Sequence, residues 1–376
     1  MRPIRMVDLQ GQYQEIKQDV DQVIQQVIDE TSFVKGPMVS GFERDLEKYL
    51  GVKHVIGCAN GTDALQVAMM ALGLKPGDEV ITSNFTFVAT VEVIALLGLT
   101  PVLVDVDPDT FNIDPAAIER SITDKTKAIV PVHIFGQCAP MEEILEIAKK
   151  HNLFVIEDNA QAIGADYTFS NGHVAKAGTM GDIGCTSFFP SKNLGCYGDG
   201  GALFTNDSEL SEKIGIVVNH GMKVRYYHDE VGVNSRLDSI QAAVLKVKLA
   251  KLDEYCDKRR YAAEYYTKAF QLCRKLQTPK QESLTSHVFH QYTLRLHDVD
   301  RDGLMKHLAE KNIPCAVYYP VPLHMQKAYQ DPRYNEGDFP VTEMLSKEVL
   351  SLPMHTEFDD EQLAYITDAV LEFVNQ

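Results

Sequence analysis

The sequence predicts an α/β protein in which a mostly parallel sheet is flanked by helices and followed by a smaller α+β region. Two observations carry this. Between about residues 55 and 205, short apolar runs alternate with longer stretches of helical period, as expected of strands buried on both faces and joined by crossover helices. Beyond Leu237 the pattern changes to one long helical stretch, after which short strand-like and helical segments follow.

The elements can be justified in chain order. HVIGCA leads to TDALQVAMMALGL, EVITS to TFVATVEVIALLG, TPVLVDVD to DPAAIERSI and KAIVPVHIF to MEEILEIAKKH, and LFVIED closes the series. In DSIQAAVLKVKLAKLDEYCDKRRYAAEYYTKAF, from Asp238 to Phe270, apolar residues recur at three- and four-residue steps, which predicts one helix linking two domains. HQYTLRL, a helical RDGLMKHLAEKN, CAVYYPVPLH and a closing helix near DEQLAYITDAVLEFV then predict the smaller α+β domain. The expected division is 1–250 for the large domain and 251–376 for the small one.

Composition bounds the function. With 376 residues, 45% hydrophobic and 24% charged, the chain can bury a large core. Its opening lacks an apolar run of signal-peptide length and no segment reaches membrane-spanning length, so a cytoplasmic protein is expected. The net charge of -17, without a basic block, argues against a nucleic-acid surface. The seven cysteines are scattered and form no metal-ligand spacing, so no metal site and no disulfide framework is expected.

In doubly wound α/β proteins, ligands bind at the carboxyl ends of strands. Three such places stand out. CANGTDALQVA opens a helix whose exposed N–H groups and Thr62 hydroxyl suit an anion, although Thr62 or Asp63 could simply cap it. LFVIEDNAQAIGA ends a strand with Glu157 and Asp158, which alternation directs to opposite faces; a helix cap or surface pair is the plainer account. Lys192 lies in SFFPSKNLGCYGDGGALFTND, among apolar and glycine neighbours that suit a Schiff-base amine as well as a turn on the surface. Gly198-Asp199-Gly200 lacks the later glycine of a dinucleotide fingerprint. Together the three places fit pyridoxal 5'-phosphate, which needs an amine, a carboxylate at its ring nitrogen and a helix N-terminus for its phosphate.

GTDAL, FTFVAT, EDNAQAIGA, SFFPSKNLGCYGDGGALFTND, VGVNSRLDSIQAAVL and YYPVPLH, in this order from residue 61 to 324, resemble the DegT-type nucleotide-sugar aminotransferases. That resemblance implies the pyridoxal-phosphate-dependent fold type I, like aspartate aminotransferase, with a seven-stranded central sheet and a smaller C-terminal α+β domain. It implies that Lys192 is the Schiff-base lysine and that Asp158 partners the pyridinium nitrogen. Gln161 would lie near the ring hydroxyl and Phe87 on the ring face. Gly61, Thr62 and Ser187 would hold the phosphate, helped by Asn234 of a second subunit, which implies a homodimer with shared sites.

The resemblance also implies chemistry. Glutamate would donate the amino group and a keto nucleotide sugar would accept it. SFFPSKNLGCYGDGGA with HGMKVRYYHDEVGVNSRLD resembles enzymes acting at C3 of UDP-3-keto-glucuronate sugars for surface polysaccharides such as O-antigen. A dTDP-keto-6-deoxyhexose is the alternative acceptor; an aminobenzoate-precursor enzyme of the same fold and a scaffold protein that kept it also stay open. Related dehydratases carry histidine at the lysine position, so Lys192 favours amino transfer. On the substrate side the candidates are Arg225, Tyr227, Arg236 and His324. For Arg236 an ion pair with Asp238, for Arg225 a solvated loop and for Tyr227 an interface core are the competing accounts. His133 is expected only to pack behind the cofactor.

Overall fold

A computed structural model describes residues 2–375. Its central sheet contains β1 (His54–Cys58), β2 (Glu79–Ser83), β3 (Thr100–Val104), β4 (Thr126–Val130), β5 (Phe154–Asp158), β6 (Ile183–Ser187) and β7 (Gly201–Thr205). The spatial order is β1-β7-β6-β5-β4-β2-β3, seven strands as expected. β7 runs antiparallel to both β1 and β6, and the other neighbours are parallel.

Period-two alternation builds two cores from these strands. Ile81, Ile129 and Val155 face one layer, which contains α2 (Pro37–Leu50) through Phe42 and Leu46. Val80, Ala128 and Ile156 face the other, where α3 (Gly61–Ala71) and α4 (Ala89–Leu96) supply Leu65, Met69 and Ile94. With both faces covered, the strands read as continuous apolar runs.

Two expectations need correction. The stretch 238–270 forms two helices, Ser239–Leu249 and Leu252–Phe270, because Lys251 leaves the helical region at φ -114 and ψ 4. Periodicity hides the break because each part buries an apolar face, Leu245 and Leu249 in the first core and Tyr266 and Phe270 in another. The run KAIVPVHIF is strand only to Val130; beyond Pro131 the chain turns through a short 3-10 segment at Ile134–Gly136.

The last core surrounds a three-stranded antiparallel sheet of Leu276–Gln277, Tyr292–Leu296 and Val349–Leu352. CAVYYPVPLH adds no strand to it; this segment makes one bridge, Ala316 to Ser351, and its prolines remove two ladder donors. Residues near the start of the chain also pack here. Ile4 lies against this core, and the Met354 N–H donates to the Met6 carbonyl at 3.1 Å. Among the described residues no helix is long and apolar enough to cross a membrane.

Glu157 fixes the turn that feeds β6. Fully buried, it accepts hydrogen bonds from the Gly178 N–H at 2.8 Å, from the Met180 and Gly181 N–H groups at 2.6 Å each and from His133 Nε2 at 2.8 Å. Glu157→Gln would turn an amide donor toward groups that are themselves donors. We predict a loss of about 2–4 kcal/mol in urea unfolding; a loss below about 0.5 kcal/mol would contradict this account.

Candidate active site

The carboxyl ends of β2, β5 and β6 and the N-terminus of α3 meet, Thr90 bonding Asp158 and Gly61 lying against Ser187. Alternation along β5 sends Glu157 to the packed side described above and leaves Asp158 on the other. Asp158 is 6% exposed, and its carboxylate accepts from Thr90 Oγ1 at 2.8 Å and the Ala160 N–H at 3.1 Å. Among the described residues it has no salt bridge. Burial pushes its pKa above the ordinary carboxylate value, against the pull of the Thr90 and Ala160 bonds and, more weakly, of Lys192 and His133.

Lys192 is the cation coupled to that carboxylate. It sits in the loop between β6 and β7, where its N–H bonds to the Phe189 carbonyl at 2.8 Å. Although some of the residue's surface is exposed, desolvation of the amine lowers its pKa to about 8, and Asp158 opposes that fall. An amine so poised is neutral in about a tenth of molecules at pH 7, far more than an ordinary lysine, as a nucleophile or base requires.

At the start of α3 the backbone packs so closely on its neighbours that only glycine fits at two positions. A Cβ added to Gly61 would come within 2.6 Å of the Ser187 Cβ. One on Gly201 would meet the Asn60 carbonyl at 2.5 Å. The cap is neither Thr62 nor Asp63 but Asn60, whose side chain accepts from the Asp63 N–H at 2.8 Å. Gly61 and Thr62 therefore keep first-turn N–H groups without an intrahelical partner.

Aromatic rings form the remaining wall. Tyr319 lies 6.3 Å from Phe135 in a stacked arrangement and 6.4 Å from Phe87, itself 55% exposed. Gln161 joins this wall to the loop after β5, donating to the Tyr319 hydroxyl at 3.1 Å and accepting from the Phe135 N–H at 2.8 Å. His133 does more than pack: its Nδ1 accepts from the Ala139 N–H at 3.0 Å, leaving Nε2 to donate to Glu157.

The substrate-side candidates are less gathered. Arg225 and Tyr227 belong to an exposed hairpin, where the Arg225 guanidinium lies 4.9 Å over the Tyr226 ring. Asn234 is exposed, and Arg236 makes no ion pair with Asp238; the charge beside it is Lys35. His324 is buried, its Nδ1 2.7 Å from Asn84 Nδ2 and its Nε2 3.3 Å from Glu343 Oε1. Sequence reasoning gave no role to Thr90 or Tyr319, although both end or lie in quoted motifs, FTFVAT and YYPVPLH. Each reaches the site through a contact that only the fold creates.

A half-buried lysine beside a buried carboxylate, a helix N-terminus with free N–H groups and this sheet order define a pyridoxal-phosphate-dependent aminotransferase of fold type I. The family follows. Residues 14–371 match the DegT/DnrJ/EryC1/StrS aminotransferase family, and the chain belongs to it. It is 45% identical to the UDP-2-acetamido-2-deoxy-3-oxo-D-glucuronate aminotransferase of Pseudomonas aeruginosa, covering 98% of this chain and 99% of that one. It is 48% identical to a "pleiotropic regulatory protein" of Geobacillus stearothermophilus, with 98% of each chain covered. Among solved structures, S. venezuelae DesV in complex with a ketimine intermediate matches with a TM-score of 0.95, 37% identity and complete coverage of both chains.

The residues present fit the cofactor this family uses. Asp158 is a buried carboxylate with no salt bridge among the described residues, and the first-turn N–H groups of Gly61 and Thr62 lie beside Ser187. In the apoprotein the Lys192 amine should titrate with a midpoint near 8, measurable by NMR after 13C reductive methylation. Asp158→Asn removes the charge that favours the ammonium, so the midpoint should move lower. A midpoint near the ordinary 10.5, or an upward move in the variant, would contradict the coupling.

Proposed function

We propose that this enzyme moves an amino group from glutamate to C3 of a UDP-linked 3-keto-glucuronate-type sugar, feeding surface polysaccharide assembly such as O-antigen. The observation that carries the amino-transfer reading is a half-buried Lys192 beside the buried carboxylate of Asp158. Support for the sugar comes from the 45% identity over nearly full length to an enzyme named for that 3-oxo-glucuronate substrate. We place the reaction in the cytoplasm and read the chain as a large domain of residues 1–250 and a small one of 251–376.

In this reading Gly61, Thr62 and Ser187 would hold the phosphate of pyridoxal 5'-phosphate, and Asn234 of a second subunit would complete that end in a homodimer. Bound there, the cofactor supplies the electron sink that stabilises negative charge at the donor Cα. Asp158 would hold the ring nitrogen protonated, a role that a buried carboxylate without a salt bridge suits well. Gln161 and Phe87 orient the ring from its edge and its face. Lys192 Nζ, once free, takes the Cα proton of glutamate in the first half-reaction and delivers a proton to the sugar C3 in the second. Arg225, Tyr227, Arg236 and His324 are the side chains we assign to the acceptor side, the arginines as partners for carboxylate.

The test is optical. Purified protein with added pyridoxal phosphate should turn yellow, and excess glutamate should bleach the colour. A UDP-linked 3-keto-glucuronate should restore it at least tenfold more efficiently than a dTDP-linked 3-keto-6-deoxyhexose; the reverse order would transfer the assignment to the deoxysugar. Lys192→Ala should keep the dimer but lose bleaching by a factor of about 10³ or more. Normal bleaching in that variant would refute the assignment of the base.

A further inference from the structure

A second lysine, fully buried, holds the loop that carries Lys192. Lys248, on the helix Ser239–Leu249, is 1% exposed, and among the described residues it has no carboxylate partner. Its Nζ donates to the Gly195 carbonyl at 2.5 Å and lies 5.5 Å over the Tyr197 ring. Both acceptors belong to the loop that carries Lys192. Two turns earlier on the same helix face, Gln241 accepts from the Tyr197 N–H at 2.8 Å and donates to the Tyr197 carbonyl at 3.4 Å. The loop is tightly folded at this point, since a Cβ on Gly195 would lie 2.4 Å from the Pro190 carbonyl oxygen.

An unpaired ammonium in the interior costs stability, and a methionine of similar length would fill the space without that cost. Its environment is unfriendly to charge: burial and the neighbouring Arg259 lower the pKa of Lys248 to about 8, with only the Cys196 thiol acting the other way. A residue that opposes stability while gripping the backbone three residues from the reactive amine is accounted for by function. We propose that Lys248 is a positioning residue for Lys192, holding the Gly195 carbonyl so that the loop presents the Lys192 amine in one orientation. This rests on the aminotransferase reading above.

The role of Lys248 can be separated from simple packing because the two predict opposite stabilities. In the apoprotein, Lys248→Met should unfold at the same or a higher temperature at pH 7, where the buried charge is still carried. Any gain should fade as pH rises from about 8 toward the ordinary lysine value of 10.5, since the wild-type amine then no longer bears its charge. Amide hydrogen exchange should nevertheless speed up at least tenfold within residues 188–198 and stay unchanged elsewhere. In the holoenzyme, kcat for the glutamate half-reaction should fall tenfold to a hundredfold with KM for glutamate within about threefold. Lys248→Arg, which keeps a charged donor, should recover most of that loss.

A lower melting temperature with wild-type kcat in Lys248→Met would make the residue merely structural and overturn the proposal. Unchanged exchange in residues 188–198 would do the same. If the holoenzyme shows no reaction with glutamate in wild type or variant, the aminotransferase reading fails, whereas the exchange and stability measurements on the apoprotein still decide the role of Lys248.

Discussion

Two carboxylates on consecutive residues of one central strand set the terms for everything around them. Because side chains alternate across a sheet, Glu157 and Asp158 cannot share an environment. Glu157 receives four donors, three from the backbone of one turn and one from His133, and so becomes a fastening for the segment that enters β6. Asp158 receives two, one a hydroxyl, and has no salt bridge among the described residues, the principal cation acting on it being Lys192. The lysine loop begins where β6 ends, so the fastening of one carboxylate locates the amine that couples to the other.

Much of this was legible in the chain. Five strands of the sheet follow from apolar runs between helical patterns, and alternation alone sends Glu157 and Asp158 to opposite faces, while the resemblance singled out Asp158. Lys192 declared itself because an ammonium among phenylalanine, leucine and glycine needs a reason. β6 and β7 escaped the periodic reading; they are five residues each, and GGALFT and DIGCTS mix glycine and small residues with few apolar ones. The resemblance to a family of known sheet size supplied the count of seven.

Illegible features share a cause. Tyr319 meets Gln161 across 158 residues, and Lys248 meets Gly195 across 53, so no local window holds both partners. A lysine on an amphipathic helix reads as solvated until the fold shows which face it occupies. The helix break at Lys251 was hidden because both sides remain periodic while facing different cores. The cap of α3 was misplaced by two or three residues, Asn60 being the first side chain able to reach back to the backbone.

The two walls of the site are inherited from different parts of the chain. The amine, the carboxylate and the helix N-terminus are rooted in the seven-stranded sheet, whereas Tyr319 and His324 arrive on a segment bridged at Ala316 to the three-stranded one. Substitutions along that segment can reshape what enters without disturbing where protons are exchanged. On the proposed assignment, substitutions in the 316–324 segment would alter the acceptor side while the sheet-borne lysine and carboxylate stay in place.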